Sequence, residues 1–207
     1  MLTWLRGHWQ TLINWLLFVS LGRFALRQRL DALRRGRFDW LEGCCLIQNL
    51  VGLSALLIRN DHHAIERRTW PQIVALATFF SGTGFDQRET SPSMVLNVMR
   101  LVTFLALITG ILSFISLGRS FGILVAVRQI QTHGLYKLVR HPMYVSDLLW
   151  RVAYVLKNFC GRNLFLFIIS SLGYIYRAIL EESFLCESPG YREYCHRVRY
   201  RFIPGVF

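Results

Sequence analysis

The sequence predicts an all-α fold: a polytopic bundle of membrane-spanning helices, about five crossings and at most six, ending in a helix hairpin and a folded cytosolic tail. Three observations predict it. Of 207 residues 53% are hydrophobic and 14% aromatic, and the mean hydropathy is positive, which is excessive for a water-soluble chain of this size. The apolar residues gather into runs of helix length. The basic residues behind a net charge of +12 cluster between those runs, as Arg27, Arg29, Arg34, Arg35 and Arg37 do. Loops facing a cytoplasm and an anionic leaflet account for that placement better than a nucleic-acid partner does.

The first run, Leu12 to Leu26, is broken by Arg23 and leads into a basic stretch with no small-residue cleavage site, so it reads as a retained helix. Gly43 to Ile58 forms the second. The connector after it holds Asp61, His62, His63 and Glu66, a weak metal set that reads better as a solvated loop; no metal is expected. The third run, Pro71 to Phe85, opens on proline and closes on Ser81, Gly82, Thr83 and Gly84, which marks it as a re-entrant or interfacial segment. At ~1.5 Å per residue the fourth, Met94 to Leu117, reaches about 36 Å and the sixth, Leu164 to Leu180, about 26 Å, against a hydrocarbon core of ~30 Å. The fifth, Met143 to Leu156, is tied to the sixth by the connector 157–162, short enough to make the two antiparallel neighbours. Five cysteines without a CxxC pair point to neither a disulfide framework nor a zinc site.

The chain shows no internal repeat and no long linker, so it reads as one membrane domain in two functional parts. Residues 1–117 supply scaffold and substrate-access helices, and 118–207 the candidate chemistry. Charge places the Arg27 to Arg37 loop, the loop 118–142 and the tail with Arg192, Arg197, Arg199 and Arg201 together on the cytoplasmic side. Three apolar runs lie between the first two of these regions, an odd number. Either one run, Pro71 to Phe85 by preference, fails to cross, or one loop is misplaced.

The hairpin brings His141 and Tyr144 at the start of the fifth run beside Glu181 and Glu182 at the end of the sixth. Pro142 suits the first position of a helix, whose N–H has no intrahelical partner, so a helix begins near His141 and turns its positive end toward the site. Arg140 and His141 add donors there. Tyr144 shares a face with His141, and the two glutamates accept from hydroxyl or amino groups. An ionisable cluster at such a place is costly unless it binds something polar. The same residues could instead serve as salt bridges that anchor the hairpin.

The segment 117–121, then Gly134 to Tyr136, the RHPMY run Arg140 to Tyr144, the EESFL run Glu181 to Leu185, the GYREY run Gly190 to Tyr194, Val198 and the RFIPG run Arg201 to Gly205 resemble the C-terminal half of the isoprenylcysteine carboxyl methyltransferases and related phospholipid methyltransferases. The resemblance implies an integral membrane enzyme using S-adenosylmethionine, with its active site facing the cytoplasm. By position, His141, Tyr144 and Glu182 would contact the cofactor, with Tyr136, Leu138, Val139, Pro142 and Glu181 around it. Arg140, Arg201 and Glu182 would form the catalytic set, the arginines orienting the nucleophile. The acceptor would be a hydrophobic small molecule, a lipid or a lipidated substrate carrying a carboxylate, thiol or amine. Ser146 departs from the glycine usual in that family. Asp147, just inside the helix, pairs with Arg151 one turn on or touches substrate.

Two other readings compete. The RHPxYxxDL segment Arg140 to Leu148 and the tail Tyr194 to Pro204 also resemble the membrane sterol reductases, which would imply NADPH and hydride transfer; the chain is short for that fold. A non-catalytic scaffold would use its basic loops for anionic lipid alone.

Overall fold

The computed structural model describes residues 2–36, 38–58, 64–65, 69–86, 88–121, 126–127 and 130–206. The Asp61, His62, His63 and Glu66 connector lies outside them, save that Ala64–Ile65 pairs antiparallel with Ala126–Val127. All else that is regular is helical: α1 Leu2–Arg34, α2 Trp40–Ile58, α3 Thr69–Phe80, α4 Ser93–Leu117, α5 Pro142–Lys157, α6 Gly161–Leu185 and α7 Pro189–Arg197, with 3-10 turns at Ser81–Gly84, Gly118–Ser120 and Gly134–Lys137. Among the described residues three helices are, by length and composition, apolar enough to cross a membrane, Trp40–Ile58, Ser93–Ser120 and Gly161–Leu185. The outward faces of α4 and α6 are rows of exposed Leu, Ile and Phe, among them Leu101, Ile108, Ile115, Phe165, Ile168 and Leu172. Such a surface suits hydrocarbon.

The helices pack as a bundle with two distinct ends. α5 lies along α4, and Ser146, fully buried, donates to the Ala106 carbonyl at 2.8 Å and accepts from Gln48 of α2 at 3.3 Å. The position at which glycine was expected is therefore a polar staple between helices. α6 lies against α3 at Gly173, where a Cβ would stand 2.6 Å from Thr78 Oγ1. Only a hydrogen side chain allows that approach.

At the end away from His141, polar residues fasten the α5–α6 connector. Asn163 is fully buried; its Oδ1 accepts from the Asp86 N–H at 2.7 Å, and its amide donates to the carbonyls of Asp86, Tyr154 and Asn158 at 3.0, 3.3 and 2.9 Å. Lys157, at the carbonyl end of α5, meets Asp39 just before α2 at 2.7 Å.

Two expectations are corrected. The stretch from Arg27 to Arg34 is not a loop, and Arg37 lies outside the described residues: α1 continues through Arg34, because arginine, glutamine, leucine and alanine all favour helix, and ends only where Gly36 takes a φ of 64°. Nor does that stretch share an end of the bundle with His141. Arg29 pairs with Glu42 in the first turn of α2, and Asp39 pairs with Lys157, which places the end of α1 with the Asn163 clamp. The reason is that Pro71 to Phe85 does traverse the bundle, from Ala75 beside Arg177 to Asp86 beside Asn163, as a helix followed by a 3-10 turn of roughly 26 Å together. α2, this segment and α4 each run between the two ends of the bundle.

Asn163→Ala removes these bonds and leaves backbone groups unpaired. It should cost about 2 to 4 kcal/mol, read as a lower melting temperature in detergent.

Candidate functional site

The site is built at the other end of the hairpin. The helix starts where the sequence places it, with Pro142 first and His141 as its cap residue. Ahead of it, Gly134 takes a φ of 58° and passes so close to the end of α4 that any Cβ would strike the Ser116 side chain. The tail then folds back. The N–H groups of Arg140 and His141 donate to the carbonyls of Tyr200 and Arg201, each at 2.9 Å, a two-rung ladder joining the loop to the chain's last residues. α7 supports it: the Tyr194 hydroxyl donates to the Tyr136 carbonyl at 2.8 Å, and Tyr191, Tyr194 and Val198 pack with Ile130 and Leu185. Burial pushes the phenols of Tyr136, Tyr191 and Tyr194 well above their ordinary range, so they remain neutral donors.

Glu182 is the knot. Its Oε1 lies 3.0 Å from His141 Nε2 and 3.2 Å from Arg140 Nε, the latter off the angle of a hydrogen bond, and its Oε2 accepts from Arg201 Nε at 2.9 Å. A single buried carboxylate thus holds the loop, the start of α5 and the tail. Phe202 completes the join by inserting with Tyr144, Tyr174 and Ala178 between the two helices.

Below that knot the helices face each other with polar stripes. α5 presents His141, Tyr144, Asp147 and Arg151, at spacings of three, three and four; α6 presents Tyr174, Arg177 and Glu181, at three and four. They meet as rungs. Tyr144 donates to Glu181 Oε1 at 2.6 Å, and Arg177 Nε donates to the same oxygen at 2.8 Å. One level deeper, Tyr174 donates to Asp147 Oδ2 at 2.8 Å. The His141 and Tyr144 rings stack 5.1 Å apart at 6°, and the guanidiniums of Arg177 and Arg151 lie over the Tyr144 and Tyr174 rings at 5.1 and 4.7 Å.

This ladder forms one wall of a cavity of ≈ 380 Å³, within the range of small-molecule sites. The opposite wall is apolar, built from Leu53, Leu56, Phe79, Phe114, Leu117 and Phe121. Of the residues expected at the site, Tyr136, Arg140, His141, Tyr144 and Glu181 line the cavity. Glu182 and Arg201 stand behind it in the knot, Pro142 and Val139 are buried off its wall, and Leu138 is 59% exposed and faces away. The expected ion pair between Asp147 and Arg151 is not what forms. Arg151 donates to the Asp147 main-chain carbonyl at 2.8 Å, to the Thr78 carbonyl at 3.1 Å and to Ser81 Oγ at 3.0 Å, because the end of α3 offers carbonyls with no intrahelical partner.

Sequence reasoning missed Tyr174 and Arg177. Their signal was present as polar residues four and seven positions before Glu181 on a largely apolar helix. No protein-family model and no curated protein matches this chain.

Glu182→Ala would leave three cationic or donor groups buried around a vacated position, a loss of about 3 kcal/mol in folding stability. Its more specific sign would be early proteolytic release of the tail after Arg197, while Glu182→Gln, which keeps an acceptor, should release it less.

Proposed function

We propose that the protein is an integral membrane S-adenosylmethionine-dependent methyltransferase acting on a hydrophobic or lipid-linked acceptor. One observation carries the reading: a single cavity sets Arg140, His141, Tyr144 and Glu181 against an aromatic and aliphatic wall, so that a charged nucleoside and an apolar molecule fit side by side. The residues suit that cofactor. Glu181 Oε1 is taken by Tyr144 and Arg177, but among the described residues its Oε2 accepts nothing, which leaves an acceptor for ammonium or ribose hydroxyl groups. Arg140 and the positive end of α5 suit a carboxylate. His141 and Tyr144 offer a stacked aromatic face.

When bound, the cofactor supplies an electrophilic methyl group. The chain's own part is to orient and to keep water out: Tyr144, held by Glu181 and Arg177, fixes the polar wall, while Phe114 and Phe121 close the other side. Glu182 and Arg201 act at one remove, as positioning residues for His141 and Arg140.

In the same reading the chain crosses the membrane six times, by α1, α2, the segment 69–86, α4, α5 and α6. Both of its ends then lie at the site end, which faces the cytoplasm with Arg119, Lys137, Arg192, Arg197 and Arg199.

Calorimetry on the purified protein in lipid discs tests the reading. S-adenosylmethionine or its demethylated product should bind, NADPH should not, and Glu181→Gln should weaken binding about tenfold, the worth of one hydrogen bond to a charge. Binding of NADPH alone would favour a reductase, and binding of neither would leave a scaffold.

A further inference from the structure

The contacts assigned above use the cavity's polar ladder and the apolar wall opposite. A third group of polar atoms borders the same cavity, on α2 and α5, and has no part in them. Ser146 Oγ donates to the Ala106 carbonyl at 2.8 Å, so what it receives from Gln48 at 3.3 Å is the amide Nε2, and the amide can lie only one way round. Its place is set as well. The amide rests on Gly110 of α4, where any Cβ would strike it. Gln48 Oε1 is thereby left buried with no donor among the described residues. One turn beyond Ser146 on α5, Trp150 is 6% exposed and its Nε1 has no acceptor; Arg151 Nε, next in the chain, has none either. Gln48, Trp150 and Arg151 all line the cavity.

A polar group buried without a partner costs about 1 to 3 kcal/mol, so one such acceptor and two such donors on the residues of one cavity call for a molecule that meets them. A hydroxyl group does so, because it accepts from an N–H and donates to a carbonyl oxygen at once. We propose that Gln48 and Trp150 form a second polar subsite of the cavity, which takes a hydroxyl group carried on the apolar body of the acceptor, away from its reactive head. The proposal rests on the reading that this cavity holds an apolar acceptor. Trp150 stands six residues along α5 from Tyr144, about 9 Å at ~1.5 Å per residue, so one ligand can reach from the polar ladder to the subsite. A plain aliphatic chain along the same path would leave Gln48 Oε1 and Trp150 Nε1 unpaired. The second hydroxyl is therefore worth affinity only when the chain between the two polar ends has the right length.

The test uses pairs of probes, a straight 1-alkanol and the α,ω-diol of the same length, from eight to sixteen carbons, titrated into the whole protein in lipid discs and read by the shift in melting temperature. Half-saturation is expressed as the mole fraction of probe in the disc, which removes the diol's weaker partition into lipid. At one chain length the diol should half-saturate the wild-type protein at a mole fraction about tenfold lower than the alcohol, the worth of about one hydrogen bond, and the advantage should fall away for shorter and longer chains. Trp150→Phe removes the N–H and keeps an aromatic ring; Gln48→Met removes the amide and keeps the length. Each should abolish the diol's advantage, which is a ratio within one variant and so is free of any general loss of stability. No advantage at any length, one without an optimum in length, or one that survives in either folded variant would overturn the proposal. The optimum is read on the wild-type protein alone, whether or not the variants fold. If the diol's advantage holds and the adenosyl cofactor fails to bind, the subsite stands and the methyltransferase reading falls; if the cofactor binds and the advantage is absent, the subsite alone falls.

Discussion

Everything at the site end of this bundle depends on the burial of one carboxylate. Glu182 sits at a depth where an isolated charge is costly, and the cost is met by drawing the neighbours Arg140 and His141, and Arg201 of the tail, onto it. The loop with the helix start, the end of α6 and the tail are three separate parts of the chain. The shared acid makes their positions interdependent, and the backbone ladder from Arg140 and His141 to Tyr200 and Arg201 then fixes register. Without it, the N-terminal turn of α5 would face the cavity with no fixed orientation.

The hairpin is held at both ends and left open between. At one end Asn163 ties α6 to the connector and to Asp86, and Lys157 ties α5 to Asp39. At the other is the Glu182 knot. Outer supports come from Ser146 against α4 and from Gly173 against α3, both small residues that permit close helix approach. Between those anchors, Tyr144 with Glu181 and Asp147 with Tyr174 cross from helix to helix, and these rungs face the cavity. A frame of this kind presents polar groups in fixed positions before any ligand arrives, which is where binding by preorganised groups gains its advantage.

The helical architecture and the meeting of His141 and Tyr144 with the two glutamates could be read from the sequence, because run lengths, the proline start and a short connector are local signals. Which glutamate faces the cavity could not. Adjacent residues on a helix point about 100° apart, so Glu181 and Glu182 cannot share a role, and only the tail's position shows which is enclosed. The placement of Arg27 to Arg37 was misread for a similar reason. Ser81 to Gly84 look like a terminus in sequence, yet the backbone passes through them as a 3-10 turn and goes on to Asp86 at the far end of the bundle. The partner of Arg151 was equally hidden, since the carbonyl end of α3 becomes its neighbour only through packing.

The same packing gives the cavity its electrical character. α3 contributes no charged side chain to the ladder, but its carbonyls at Ala75 and Thr78 take up guanidinium protons from Arg177 and Arg151 respectively. Without α3 both guanidiniums would lose these acceptors, while Arg177 would keep its bond to Glu181. Because the arginines are partly satisfied by backbone, each acid keeps one oxygen unused among the described residues, at heights one turn apart. A helix that carries only apolar and neutral side chains thus takes part in setting which polar atoms of the cavity wall are engaged.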